Sequence, residues 1–140
     1  RTYAVGKISP EKQRLIDVTR RCFYNGIAKI RAGARLGDAQ HAIQMTAELA
    51  GYGVVRAMTG HGIGTQMHED PTIENYGRPG TGPLLRSGMC LAVEPMIAMG
   101  DWDVRIDRDG WTCRTADGLP AAHYENTVLV TDGGCEILTE

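Results

Sequence analysis

Three residues of this sequence stand where ordinary packing does not want them. Glu94 lies in Met89-Cys90-Leu91-Ala92-Val93-Glu94-Pro95-Met96-Ile97, where every neighbour is apolar. A lone carboxylate in a buried strand costs several kcal/mol unless a cation, a metal or a proton compensates it. The competing reading is an ion pair with a nearby arginine. Glu125 lies in His123-Tyr124-Glu125-Asn126-Thr127-Val128-Leu129-Val130. Strand alternation puts His123, Glu125 and Thr127 on one face, and Tyr124, Val128 and Val130 on the other. An ordinary polar edge face would look the same. His61 sits in Gly60-His61-Gly62-Ile63-Gly64, whose glycines let the backbone approach closely. A neutral imidazole is the commonest metal ligand, though a turn histidine also serves to bond its own loop.

Together, one imidazole and two carboxylates, each in or beside a strand, suit a hard-to-borderline divalent ion. Glu94 and Glu125 are far apart along the chain, a gap that strands of one sheet can close. His68 follows in Met67-His68-Glu69-Asp70-Pro71. It offers a further ligand, a proton donor or a hydrogen-bond donor to substrate, and Glu69 and Asp70 would raise its basicity if close. Read blandly, it is a surface loop histidine. Trp111, after Asp109-Gly110, reads as a core or capping residue of a hairpin rather than a pocket wall. His41 reads as solvated.

The elements that must position these residues are legible in outline. Ser9-Pro10-Glu11 is a helix start, with a hydroxyl cap, a first-turn proline and an early acid. Leu15, Val18, Cys22, Ile27 and Ile30 mark one face, so the spacing predicts a helix over residues 10–31. Asp38 caps a second helix with Ala39, Ala42, Ile43, Leu49 and Ala50 on its apolar side, and Gly51 stops it. From Gly53 the period changes to that of strands. Residues 53–58, 89–98, 104–106, 111–115, 122–131 and 135–138 read as strands. Residues 60–71 read as a glycine-rich turn and residues 75–88 as a long loop. Two helices followed by antiparallel strands make an α+β chain.

The chain of 140 residues is one domain or part of one, and 42% hydrophobic content supports a packed core. Net charge is −2 without a basic stripe, which argues against nucleic-acid binding. No apolar stretch approaches the roughly 20 residues that span a membrane. Cysteines 22, 90, 113 and 135 form no CxxC unit and read as reduced thiols of a cytoplasmic protein without a signal peptide. Arg1 is not a natural start, so a preceding segment is expected to have been removed.

The ordered motifs resemble a known family. Thr59-Gly60-His61-Gly62-Ile63-Gly64, Met67-His68-Glu69-Asp70-Pro71, Val93-Glu94-Pro95-Met96, Gly110-Trp111-Thr112 and His123-Tyr124-Glu125-Asn126-Thr127 occur in the order and rough spacing of type I methionine aminopeptidases. The likeness extends to Val5-Gly6-Lys7 and to the closing Thr131-Asp132-Gly133-Gly134-Cys135-Glu136-Ile137-Leu138. It implies a pita-bread fold of two related halves, of which residues 1–140 are the C-terminal part, with a dinuclear site for Co, Mn, Fe, Zn or Ni between them. By that match His61 and Glu94 bind one metal and Glu125 bridges both. Glu94 also moves the proton, and His68 contacts the scissile carbonyl. Met67 and Trp111 border the methionine pocket. Met67 stands where many relatives have Phe, and His123 and Asn126 replace the commoner Gln and His, which alters the surroundings of the ligands.

The family also takes two aspartates from its N-terminal half. Asp101, Asp103, Asp107 and Asp109 fall in the wrong place to replace them. Residues 1–140 alone are therefore expected to hold one ion or none and to be impaired in activity. They should also expose a sheet flank that the missing half or another chain covers, with poor solubility as the result. The implied substrate is the N-terminus of a peptide or nascent protein, with the ribosome as a further partner. The rival readings are an X-Pro dipeptidase of the same fold and a non-catalytic peptide-binding module.

Overall fold

A computed structural model describes residues 1–139. Helix α1 (Pro10–Ile27) opens as its sequence demands, with the Ser9 hydroxyl accepting from the Lys12 N–H at 3.4 Å and Pro10 in the first turn. Its buried face is Leu15, Val18, Thr19, Cys22, Phe23 and Gly26, the 3–4 spacing of one helical stripe. Helix α2 (Leu36–Leu49) packs across it. The crossing is tight, because a Cβ on Gly26 would lie 2.6 Å from Ile43 Cγ1.

The helices differ from the sequence reading in three ways. α1 ends at Ile27 rather than at residue 31, since the Ala28 N–H still reaches Tyr24 O at 3.1 Å but Ile30 turns back to Ile27 O. Asp38 does not cap α2. It lies in the first turn, where its Oδ1 accepts from Gly80 N at 2.7 Å, and the cap position is Arg35. Leu49 is 81% exposed, and the buried stripe runs instead through Leu36, Ala39, Gln40, Ile43 and Ala47.

The strands are β1 (Gly53–Val54), β2 (Gly60–Gly62), β3 (Glu69–Ile73), β4 (Cys90–Val93), β5 (Met96–Ala98), β6 (Val104–Ile106), β7 (Cys113–Thr115), β8 (Ala121–His123), β9 (Asn126–Val130) and β10 (Cys135–Ile137). All pairings are antiparallel. They form a five-stranded sheet in the order β10-β9-β4-β2-β3, a three-stranded sheet β1-β5-β8 and the hairpin β6-β7. The helices, Ile73, Leu91, Val93, Ile97, Val128 and Val130 share one core. The chain is α+β, as expected. Among the described residues no helix is long and apolar enough to cross a membrane.

The strand boundaries hold the main surprise. Residues 89–98 and 122–131 each read as one strand, and each is two. β4 leaves the larger sheet at Glu94-Pro95 and re-enters the smaller one as β5. β8 leaves the smaller sheet at Tyr124-Glu125 and enters the larger one as β9. The two breaks lie side by side, because Val93 pairs with Asn126 and Met96 with His123. The strand predicted over 53–58 shortens to β1, and the predicted turn 60–71 contains β2 and the start of β3, which runs on to Ile73. The smaller hairpin forms as expected, with β7 starting at Cys113 rather than at Trp111.

Candidate metal centre

The two chain breaks free the two carboxylates. Pro95 has no N–H to continue the ladder. The Glu94 carbonyl turns aside to accept from Asn75 Nδ2 at 3.1 Å, while Pro95 O accepts from Tyr124 N at 3.1 Å. Opposite, the ring of Tyr124 is drawn into an aromatic cluster with Phe23, at 5.2 Å between centroids, and Tyr24. Glu125, the next residue, is left on the open side.

His61 reaches the same place from β2, which lies between β4 and the edge strand β3 of the larger sheet. β2 pairs with β4 through His61↔Ala92 and with β3 through His61↔Thr72. Between His61 and Gly62 the β3 register shifts, with Gly62 opposite Glu69. Such bulges re-aim a side chain. The His61 Nδ1 contacts Gly62 O at 2.9 Å. A carbonyl only accepts, so Nδ1 carries the hydrogen and Nε2 keeps its lone pair. Nε2 lies 3.6 Å from Glu94 Oε1, and both side chains are only 16% exposed.

One donor atom from each of His61, Glu94 and Glu125 lies within 4.8 Å of the others. Coordination bonds from N and O to such cations are roughly 2.0–2.2 Å, so ligand atoms of one cation sit roughly 3–4.4 Å apart. The donor set and spacing fit a divalent ion. Among the described residues no lysine or arginine comes within ion-pair distance of Glu94 or Glu125, which removes the arginine alternative for Glu94. Only imidazoles do: His123 Nε2 is 3.6 Å from Glu94 Oε2 and 3.5 Å from Glu125 Oε2. His123 and Glu125 share a side, as strand alternation requires.

His68 stands beside His61, with ring centroids 4.3 Å apart. Both border a groove of about 620 Å³, with Thr59, Gly60, Asp70 and Thr72. Glu69 is engaged elsewhere: its Oε1 accepts from Gln66 N at 2.8 Å and Thr65 Oγ1 at 3.0 Å, bonds that hold its carboxyl below the usual range. Met67 is 70% exposed. Trp111 is 88% exposed, so it is not the core residue its hairpin position suggested, although its N–H is tied to Asp109 Oδ1 at 2.9 Å. His41 is half-buried with Nδ1 3.2 Å from Gly77 O, rather than solvated. A second cavity, about 500 Å³ and lined by Arg1, Asp17, Tyr24 and Tyr124 among others, contains no imidazole.

Sequence reasoning missed Asn75. It is fully buried, and its amide fixes the Glu94 carbonyl. It lies in a stretch read as irregular loop, where no periodicity marks a buried side chain. The four cysteines are free, as expected.

The chain is similar to proteins of known family. The chain is 54% identical over 139 residues to a methionine aminopeptidase of Clostridium acetobutylicum, covering 99% of the chain and 56% of that protein. The crystal structure of a methionine aminopeptidase from Thermotoga maritima superposes with a TM-score of 0.96 at 50% identity, covering 99% of the chain and 55% of that structure. A Xaa-Pro dipeptidase from Bacillus anthracis superposes less closely, with a TM-score of 0.75 at 28% identity, covering 100% of the chain and 34% of that structure. The chain thus has the pita-bread fold of these peptidases and spans about half the length of the curated relatives it matches, 56% of the Clostridium protein. His61, Glu94 and Glu125 meet at one crease, and the metallopeptidase family M24 pattern runs through residues 1–132: the chain belongs to that family.

Proposed function

We propose that residues 1–140 are the C-terminal part of a cytoplasmic methionine aminopeptidase, which removes the N-terminal methionine from peptides and nascent proteins, at the ribosome among other places. The observation that carries this reading is the convergence of His61, Glu94 and Glu125 on one point. His61 Nε2 and the Glu94 and Glu125 carboxylates would hold divalent cations. Two aspartates from the rest of the protein would complete the set for Co, Mn, Fe, Zn or Ni.

A cation bound there would supply a Lewis acid that polarises the peptide carbonyl and makes water a better nucleophile. The chain's own groups do the remainder. Glu94, shielded and held at its carbonyl by Asn75, takes a proton from the attacking water and passes it to the leaving amine. His68, beside His61 at the groove, donates a hydrogen bond to the carbonyl oxygen as charge develops there. Met67 and Trp111, both exposed in residues 1–139, form the methionine pocket with side chains from the missing half, which also covers the open face.

The test is hydrolysis by the whole protein, loaded with Mn²⁺ or Co²⁺, of Met-Ala-type against X-Pro peptides. Release of methionine from the first set is expected. Cleavage of X-Pro peptides alone would move the assignment to the dipeptidases. No turnover, together with no divalent ion by elemental analysis of an unchelated preparation, would leave a peptide-binding module.

A further inference from the structure

The two oxygens of Glu94 face different imidazoles. Oε1 faces His61 and Oε2 faces His123. The His123 Nε2 is also 3.5 Å from Glu125 Oε2, so one ring nitrogen stands between the two carboxylates. A carboxylate oxygen accepts, so a hydrogen carried on the His123 Nε2 would face both acids. At 3.6 and 3.5 Å the contacts are longer than the roughly 2.7–3.2 Å of a hydrogen bond, so the ring faces the two acids at electrostatic contact distance. Two carboxylates at one point repel, and a donor between them offsets that repulsion.

The backbone that carries this ring is well held. His123 is the last residue of β8, where β5 supports it through the Met96↔His123 pair. On its other side Thr2 clamps the backbone. The His123 N–H donates to Thr2 Oγ1 at 2.9 Å, and the His123 carbonyl accepts from Thr2 N at 2.9 Å and from Thr2 Oγ1 at 3.1 Å. Among the described residues, His61 and His123 are the only basic side chains at ion-pair distance from either carboxylate. His61 spends its lone pair on the cation side, which leaves His123 as the group that sets the spacing of the pair.

We propose that His123 is a positioning residue: its Nε2–H holds Glu94 and Glu125 at the separation at which they and His61 take a divalent cation. The inference rests on the metal reading above. It predicts that what matters at position 123 is a side-chain N–H rather than an imidazole lone pair.

Mn²⁺ binding to the whole protein by calorimetry tests it, with the parent, His123→Leu and His123→Gln. Leucine removes the donor, and glutamine restores an N–H of similar reach. His123→Leu is expected to bind Mn²⁺ about 10- to 100-fold more weakly, the usual cost of losing a group that orients ligands, with the metal-free Tm unchanged. His123→Gln is expected to recover most of that loss. Pulsed EPR of the Cu²⁺-loaded parent should count one directly coordinated imidazole, a readout that needs no variant to fold. Parent-like affinity in His123→Leu overturns the inference. A second coordinated imidazole in the parent that disappears in His123→Leu also overturns it, because His123 is then a ligand. Failure of the metal reading itself is distinguishable: the parent then binds no Mn²⁺, before any change at His123, and both readings fall.

Discussion

Gly60→Ala tests whether the packing of β2 against β4 sets the metal centre. Gly60 is buried in β2, between β4 and β3 of the larger sheet, one residue from His61. A Cβ added there would enter the shell of the Ala92 carbonyl oxygen, and would lie 3.3 Å from both Glu94 Cγ and Ile73 Cβ. The first clash is with backbone, so no side-chain rotation relieves it, and β2 must part from β4. Overpacking of this kind costs about 1–3 kcal/mol. In a domain of the relatives' size that lowers Tm by roughly 3–10 °C. The same displacement carries His61 away from Glu94, whose side chains are now 3.6 Å apart. A misplacement near 1 Å at a reacting centre costs about 10²-fold. Thermal melts and Mn²⁺ calorimetry of the whole protein should therefore show a lower Tm together with weaker binding. A Gly60→Ala protein with parent-like Tm and affinity would refute the argument that strand spacing, rather than side-chain choice alone, builds the site.

Three further outcomes are expected. Glu94→Gln should lower kcat on Met-Ala-type peptides by about 10²–10⁴-fold, and full turnover would remove Glu94 from proton transfer. Phe23→Ala should cost about 3–5 kcal/mol in chemical denaturation, since Phe23 is fully buried at 5.2 Å from both the Tyr24 and Tyr124 rings; a loss below 1 kcal/mol would mean the cluster is not packed as described. Burial pushes the Cys22 thiol from an ordinary 9.0 up to about 12, so it stays protonated at pH 8 and should resist iodoacetamide until the chain is unfolded in urea. The raised value also means that this thiol's contribution to stability is intact below pH 9 and is lost as pH climbs towards 12. Rapid labelling of native Cys22, read by peptide mass spectrometry, would contradict its burial.

Local chemistry made much of this molecule legible. The Ser9-Pro10 start and the hairpin around Asp107–Gly110 depend on neighbours in sequence and form as read, and so do Leu15, Val18 and Cys22 of the α1 stripe, whereas Ile30 lies beyond the helix end. Glu94 and Glu125 drew attention through their surroundings, and the structure brings them to His61. What could not be read was decided by partners far along the chain. An apolar run such as 89–98 looks the same whether it lies in one sheet or passes between two, because alternation reports faces and not which strand is next door. Leu49 and Trp111 are apolar yet exposed, and no local pattern marks that. Asn75 gains its role only from the Glu94 carbonyl, nineteen positions away in sequence.

The paired breaks at Glu94-Pro95 and Tyr124-Glu125 act like the spine of a half-open book. Each cover is a hydrogen-bonded sheet and stiff; the binding runs between them, and both acids are stitched into it. Tilting one cover against the other alters the gap between the acids before it disturbs any ladder. Val128 under one cover and Ile97 under the other belong to the same core as the helices, so a substitution at either is expected to reach the two acids through that angle.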